Sequence, residues 1–230
     1  MPKHIGLVGC SAEGAALCYK TICVEGAQHF GSYAHPEVSM HTHSLSRYVA
    51  SLERNDLQGI ADLMLSSATK LKACGADFLI CPDNTIHQAM DSVEPRSPLP
   101  WLHIAEVVAQ EAKAKSYKRV GLTGTRWLVE SDVYPSKLNA VGIDVARPSP
   151  VDRERLGRII MTELVHGVFD RTSVSYVEGL IRQFKEEEDC DAVVLGCTEI
   201  PLIITDENSA LPTLDSTRIL ARAALRHAMT

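Results

Sequence analysis

The chain has 230 residues and a net charge of −6 at pH 7, with 45% hydrophobic and 23% charged residues. This balance is typical of one large or two small globular domains, and it argues against a fibrous or disordered chain. The negative charge and the absence of a basic run argue against nucleic acid or an anionic membrane as a partner. No stretch approaches the ~20 apolar residues of a membrane span, and no leader peptide is recognisable, so we expect a cytoplasmic protein.

Short apolar runs alternate with longer amphipathic stretches along the chain, which is the rhythm of β-α-β units and predicts parallel sheets. Strands are predicted at Ile5–Val8, Val38–His41, Phe78–Cys81, Trp101–Leu102, Arg119–Thr123, Ile143–Ala146, Ala192–Leu195 and Thr213–Leu214. Helices are predicted from three- and four-residue apolar spacing at Gly14–Phe30, Asp56–Ala73, Ile104–Lys115, Trp127–Val141, Asp152–His166, Ser173–Glu188 and Ser216–Ala228.

The two halves of the chain resemble each other at a nearly constant offset. Residues 3–10 align with 118–125 (118 − 3 = 115), and residues 77–84 align with 191–198 (191 − 77 = 114). We therefore predict an α/β fold with two similar parallel-sheet domains, related by a pseudo-twofold axis, and an active site in the cleft between them. The predicted domains are residues 1–104 and 105–211, with a last helix at 212–230 that packs back on the first.

The seven cysteines are an odd set without Cys-x-x-Cys spacing, which argues against a disulfide framework or a zinc site. His41 and His43 share one face of a strand, but no acidic cluster accompanies them, so we expect no metal. The Gly6, Gly9 and Gly14 spacing also departs from the pattern of dinucleotide-binding loops.

Reactive groups in parallel sheets collect beyond the carboxyl ends of the strands. Four such ends carry polar residues, at Gly9-Cys10-Ser11, Cys81-Pro82-Asp83-Asn84-Thr85, Gly124-Thr125 and Gly196-Cys197-Thr198-Glu199. The offset pairs Asp83 with Cys197, so we expect the two to meet across the cleft. Cys197 follows a glycine and precedes a predicted helix, and a thiol at a helix start has a lowered pKa. Cys197 is thus the expected reactive thiol, whereas Cys81 is expected to be a core residue.

Several of these segments resemble the aspartate/glutamate racemase family, which works without pyridoxal phosphate. The resemblance rests on Gly196–Pro201, Asp83–His87 and Ile5–Gly9 with Glu13, and more weakly on Gly124–Arg126 and Glu163–Gly167. It implies two similar α/β domains, a homodimer, no cofactor and a two-base mechanism. In that mechanism one base removes the α-proton of an amino acid, and the conjugate acid of the other reprotonates the opposite face. The family's second catalytic cysteine falls on Cys197, but the position of the first is Asp83 here.

An aspartate in place of a cysteine changes the chemistry expected of this position. A carboxylate is a weaker base than a thiolate, although burial can raise its pKa. A protonated Asp83 would therefore donate a proton from one face while Cys197 removes one from the other. The expected substrate is a small amino acid with an acidic side chain. The residues expected to bind it are Ser11, His43, Arg47, Asn84, Thr85, His87, Thr125, His166, Thr198 and Glu199.

Two alternatives remain open from the sequence. In the first, only Cys197 does chemistry, as in relatives of this superfamily that decarboxylate malonates or isomerise maleate, both small dicarboxylates. In the second, the cleft binds a small carboxylate without turning it over, and Asp83 is the feature that favours this alternative. Proton exchange at the α-carbon of an amino acid would separate a racemase from the first alternative.

Overall fold

A computed structural model describes residues 2–230 and shows two compact α/β units. The first unit comprises the chain as far as Val107 together with Thr217–Thr230, and the second is Val108–Ser216. Each unit holds a four-stranded sheet in which every strand pair is parallel. The predicted fold class, an α/β fold with two similar parallel sheets, is confirmed. Within residues 2–230, no helix combines the length and the apolar character needed to cross a membrane.

The sheet of the first unit has the order β2-β1-β3-β4. Its strands are β1 (Ile5–Gly9), β2 (Val38–Thr42), β3 (Phe78–Ile80) and β4 (Trp101–Leu102). Its helices are α1 (Ala12–Phe30), α2 (Leu45–Glu53), α3 (Leu57–Ala73), α4 (Met90–Val93) and the start of α5 (Ile104–Ala114), with 3-10 turns at Thr85–Ala89 and Glu94–Arg96.

The sheet of the second unit repeats this order as β6-β5-β7-β8. Its strands are β5 (Arg119–Thr123), β6 (Asp144–Ala146), β7 (Ala192–Leu195) and β8 (Thr213–Asp215). Its helices are α6 (Arg126–Glu130), α7 (Val133–Asn139), α8 (Pro150–Thr162) and α9 (Arg171–Glu186), with 3-10 turns at Leu164–His166 and Ile200–Leu202. The last helix, α10 (Ser216–Ala228), returns the chain to the first unit.

Both units bury their central strands between layers of helices. In the first unit, Leu7 of β1 lies in one buried cluster with Ile22 of α1 and Leu220 of α10, while Val8 lies in another with helix α3. In the second unit, Leu195 of β7 packs in a cluster with helices α8 and α9. Strands covered on both faces read as continuous apolar runs, which is why the sequence predicts them well.

The internal repeat extends to strand register. Ile5 pairs with Phe78, and the offset positions Val120 and Ala192 pair in the same way. In each unit, an aspartate just before one central strand hydrogen-bonds to the backbone at the start of the neighbouring central strand. In the first unit, the Asp77 carboxylate accepts a hydrogen bond from the His4 amide at 2.7 Å. The Asp191 carboxylate likewise accepts bonds from the amides of residues 118 and 119 at 2.6 and 3.1 Å.

The structure departs from the predicted helices in several places. Helix α4 is absent from the sequence prediction, and the predicted helix Asp152–His166 ends at Thr162, before the 3-10 turn Leu164–His166. Helix α2 is also absent from the sequence prediction. Leu45, Tyr48, Val49 and Leu52 recur at helical spacing there, but the helix has only nine residues.

The predicted helix Trp127–Val141 is broken into α6 and α7. The break lies at Ser131, whose hydroxyl donates to the Leu128 carbonyl at 2.7 Å and accepts from the Val133 amide at 3.3 Å. Pro135 of α7 also breaks the helix, because it has no amide hydrogen to donate to the Ser131 carbonyl.

Candidate active site

Asp83 lies in the loop that follows β3 in the first unit, and its side chain is half-buried. Its Oδ1 accepts a hydrogen bond from the Ile86 amide at 3.4 Å, so the carboxylate caps the 3-10 turn Thr85–Ala89. Two residues earlier, the Cys81 thiol is fully buried and lies 3.8 Å from the Asp83 carbonyl oxygen. Burial, and next the charge of Asp83, raise the pKa of Cys81 well above its usual value. Cys81 therefore stays a protonated core thiol.

Three predicted substrate-binding residues share this loop and are buried. The Asn84 amide donates to the Pro82 carbonyl at 3.4 Å, and Thr85 opens the 3-10 turn. His87 lies within the turn, with Nε2 3.1 Å from the Cys81 carbonyl oxygen. Its ring packs edge to face on His103, with 4.6 Å between the ring centroids. His87 thus fastens the loop to the end of β3.

Cys197 lies at the equivalent position of the second unit, after β7 and Gly196. Its side chain is 7% exposed and its Sγ is 2.9 Å from Glu199 Oε2, which accepts the thiol hydrogen bond. The Thr198 hydroxyl donates to the same oxygen at 2.7 Å. Glu199 is itself only 2% exposed, so a buried carboxylate is held against the thiol by two donors.

The environment of Cys197 differs from the helix start that the sequence predicts. The residues after Glu199 form only the three-residue 3-10 turn Ile200–Leu202. A single turn has almost no macrodipole, because the dipole grows by alignment of successive peptide units. The Glu199 carboxylate is therefore the hydrogen-bond acceptor that the structure places beside this thiol.

Ser11 and Thr125 follow the central strands of their units and have the same local role. Ser11 Oγ accepts from the Gly14 amide at the start of α1, and Thr125 Oγ1 accepts from the Leu128 amide at the start of α6, both at 3.2 Å. Each hydroxyl is thus an N-cap for the helix after a strand. Their predicted contact with a substrate remains a prediction.

His43 and Arg47 border a surface cavity of about 470 Å³ between α2 and α3 of the first unit. Arg47 Nη1 donates to His43 Nδ1 at 3.2 Å, and His43 Nε2 is 3.2 Å from Ser66 Oγ. Burial lowers the pKa of His43, followed by the charges of His41, Lys70 and Arg47. The neutral imidazole therefore holds the guanidinium of Arg47 through a nitrogen lone pair.

His166 lies on the surface of the second unit, at the end of the 3-10 turn Leu164–His166. Gly167 after it adopts a left-handed conformation with φ of 71°, which ends the turn. Among residues 2–230 there is no group of three or more histidine, cysteine, aspartate or glutamate side chains that could hold a metal ion.

The model of the Asp/Glu/hydantoin racemase family matches residues 7–224 of the chain. The chain is 24% identical over 164 residues to the broad specificity amino-acid racemase RacX of Bacillus subtilis (strain 168). This match covers 70% of this chain and 69% of RacX. It is 26% identical over 137 residues to the glutamate racemase of Hydrogenobaculum sp. (strain Y04AAS1), covering 59% of this chain. The match spans only half of that glutamate racemase (50%).

Solved structures agree with this grouping. A Yersinia pestis protein described as a candidate Asp/Glu racemase superposes with a TM-score of 0.89 at 30% identity, over 99% of this chain and 100% of that one. An aspartate racemase homologue from Pyrococcus horikoshii OT3 gives 0.85 at 28% identity over the whole of both chains. The homologues are amino-acid and glutamate racemases, which are isomerases, so the predicted enzyme class is confirmed. Because the family model covers almost the entire chain, the protein belongs to the Asp/Glu/hydantoin racemase family.

Proposed function

We propose that this protein is a cofactor-independent racemase of an amino acid with an acidic side chain, and that Cys197 and Asp83 are its two proton carriers. The observation that carries the proposal is the buried Cys197–Glu199 pair, in which the thiol has a proton acceptor 2.9 Å away. Asp83 follows β3, the strand equivalent to β7 in the repeat. Racemisation requires one group to remove a proton from the α-carbon and another to return one to the opposite face.

The Cys197–Glu199 pair can accept the α-proton as a unit. Glu199 takes the thiol proton, and the sulfur that it leaves as thiolate takes the α-proton of the substrate. Asp83, in its protonated form, gives its proton to the other face of the α-carbon. One carbon–hydrogen bond breaks and one forms, so the net result is inversion with one proton gained at Cys197–Glu199 and one lost at Asp83.

The charge of Asp83 limits which protonation state is productive. An ionised Asp83 about 4 Å from a substrate carboxylate would cost up to ~4 kcal/mol at an effective dielectric of 20. A protonated Asp83 avoids this repulsion and supplies the proton that inversion needs. Arg47 is the cation that we propose for the substrate carboxylate, with amide and hydroxyl donors from Asn84, Thr85 and Thr198.

The test is proton exchange and racemisation in D₂O with L- and D-amino acids, using nuclear magnetic resonance and circular dichroism. We expect Cys197→Ser to lose both activities by about hundredfold or more, because its hydroxyl is a far weaker acid than a thiol. Asp83→Asn keeps the shape of the side chain but cannot carry the proton, so racemisation is lost while one-sided exchange by Cys197 is retained. Cys190→Ser, another buried cysteine of the second unit, is the matched control and should leave both activities intact. Full racemase activity in Asp83→Asn would contradict the two-base role.

One observation favours a second candidate, a reaction that uses a single thiol. Asp83 Oδ1 serves as a cap for the Ile86 amide, whereas Cys197 has a dedicated proton acceptor. A single thiol with a proton acceptor beside it is sufficient to protonate the carbanion left by decarboxylation of a malonate, or to add to the double bond of maleate. Turnover of such a dicarboxylate, without exchange of any amino-acid α-proton, would select this alternative.

The homodimer, the independence of pyridoxal phosphate and the cytoplasmic location remain predictions. Sedimentation analysis of the purified chain tests the first. Activity after exhaustive dialysis against a carbonyl reagent tests the second, because such reagents trap pyridoxal phosphate.

A further inference from the structure

The last two residues of β7, Val194 and Leu195, are each held by a hydroxyl group from another element. The Thr123 hydroxyl of β5 donates to the Val194 carbonyl at 2.8 Å. The Ser216 hydroxyl, at the start of α10, donates to the Leu195 carbonyl at 2.8 Å. Both donors are completely buried. No step of the proposed reaction uses either hydroxyl, although the two carbonyls come directly before the Gly196-Cys197 segment.

Gly196 separates this strand end from the Cys197 thiol, and its backbone is held as well. The Gly196 amide donates to the Thr123 carbonyl at 3.0 Å. Thr123 therefore bonds to this segment twice, through its side chain at Val194 and through its carbonyl at Gly196. Glycine has the most conformational freedom of any residue, so these bonds restrain the backbone where it would otherwise move most easily.

The first unit has a side-chain bond at the equivalent carbonyl. Cys81 is the equivalent of Leu195 in the repeat (195 − 81 = 114), and its carbonyl oxygen lies 3.1 Å from Nε2 of the buried His87. Each proposed proton carrier, Asp83 or Cys197, thus comes two residues after a carbonyl that a buried side chain holds. The bond is repeated in the two units, although different residues make it.

The two hydroxyl groups belong to the cysteine side alone. The offset places Val8 at the position of Thr123 (123 − 8 = 115), and Ile104 begins α5 after β4 as Ser216 begins α10 after β8. Val8 and Ile104 are buried and have no hydroxyl. The first unit forms the same sheet order without these hydroxyls, so a sheet of this kind does not require them.

Thr123 and Ser216 together are called the β7 clamp here. We propose that the β7 clamp is a pair of positioning residues for Cys197, which keeps its Sγ 2.9 Å from Glu199 and in place for the substrate. The inference rests on the proposed function, because it assigns support to the thiol that the proposed racemase uses as a proton carrier. Reacting atoms must approach to about 3–3.5 Å, and a displacement of about 1 Å can cost about hundredfold in rate.

The first measurement needs no substrate. Iodoacetamide labelling with peptide mass mapping compares the alkylation rates of Cys197 and Cys190, two buried cysteines of the second unit. In Thr123→Val, which keeps the shape of the side chain and removes the hydroxyl, we expect the ratio of the Cys197 rate to the Cys190 rate to rise about fivefold, because local opening exposes only the thiol that has lost its support. A variant that is less stable as a whole raises both rates together and leaves the ratio unchanged.

The second measurement is racemisation over a wide substrate range. We expect kcat and kcat/KM of Thr123→Val to fall together by about tenfold with KM unchanged, because the clamp acts when the proton moves and not when the substrate binds. Thr123→Ser retains the hydroxyl and should restore both the rate and the alkylation ratio to within about twofold of wild type. Ser216→Ala should behave as Thr123→Val does and takes its place should that variant fail to fold.

Thr162→Val is the matched control. The Thr162 hydroxyl also donates to a carbonyl in the second unit, that of Arg158 at 2.9 Å, but it is exposed on α8. This variant should leave the alkylation ratio and kcat unchanged.

The outcomes separate this inference from the proposed function. An unchanged alkylation ratio in Thr123→Val and Ser216→Ala refutes the clamp and leaves the racemase intact. A raised KM with an unchanged kcat also refutes it, because the hydroxyls then serve substrate binding, and so does an unchanged kcat with a raised ratio. A wild-type protein that racemises no amino acid overturns the proposed function, and the alkylation ratio alone then decides whether the clamp holds the thiol.

Discussion

Replacement of Gly196 with alanine is expected to destabilise the second unit, because the strand end before Cys197 has no room for a Cβ atom. A Cβ at this position would lie 2.5 Å from the Thr123 carbonyl oxygen and 2.7 Å from Leu128 Cδ2. The Thr123 carbonyl belongs to the backbone of β5 and accepts the Gly196 amide hydrogen bond at 3.0 Å. Relief of the clash therefore requires the ends of β5 and β7 to separate.

The magnitude follows from two costs. Overpacking of a filled core costs about 1–3 kcal/mol, and the loss of one buried backbone hydrogen bond costs about 0.5–1.5 kcal/mol. We expect the free energy of unfolding to fall by about 2–4 kcal/mol, which is a large share of the ~5–15 kcal/mol of a typical domain.

Urea unfolding followed by tryptophan fluorescence measures this change. The chain has two tryptophans, Trp101 in the first unit and Trp127 in the second, so a Trp101→Phe background reports the second unit alone. Gly179→Ala in α9 is the matched control, because nothing lies within 4 Å of its added Cβ. This control should gain about 0.5–1 kcal/mol from the lower helix cost of alanine. Equal stability of Gly196→Ala and wild type, or the same shift in both variants, would refute the reasoning.

Two further predictions concern thiol reactivity and pH. Cys74 is exposed, so iodoacetamide should modify it in the free protein. In a Cys74→Ser background, we expect Cys197 to be the cysteine that the substrate protects from iodoacetamide, as measured by peptide mass mapping. Protection of Cys81 instead would be inconsistent with the site. The pKa values of His41 and His43 are lowered, chiefly by burial, so below a pH of about 6.5 the unfolded chain binds more protons than the folded one. Stability should therefore fall as the pH drops below about 6.5, and a His41→Gln, His43→Gln double variant should show a shallower fall in thermal melts; an identical pH profile would count against the shifts.

The sequence was sufficient wherever the physical signal is local and periodic. All eight predicted strands are present, because buried parallel strands are short continuous apolar runs that the intervening amphipathic helices separate. The internal offset also predicted which strands are equivalent, and the register pairs Ile5 with Phe78 and Val120 with Ala192. The placement of Asp83 and Cys197 after equivalent strands follows from the same repeat.

The sequence failed where a polar side chain competes with the backbone. Helix α6 ends at Ser131 inside a stretch whose apolar spacing is continuous. The Ser131 hydroxyl donates to the Leu128 carbonyl there, and Pro135 has no amide hydrogen to donate to the Ser131 carbonyl. The partner of the Cys197 thiol was also missed, because Glu199 was assigned to the substrate and a longer helix was expected after it.

Only the tertiary structure brought Tyr48, Ser67 and His41 together. Periodicity indicates which face of α3 is buried, and so it predicts that Ser67 is covered, but it does not specify the neighbour that covers it. That neighbour comes from α2, a nine-residue helix that the sequence prediction did not include. Tyr48 of α2 packs in the same buried cluster as Leu63 and Met64 of α3. Local sequence determines which side chains are buried, because burial depends on the composition of one face of a helix or strand. The packing of distant segments determines which buried side chains contact each other, because a contact depends on the shapes of two surfaces.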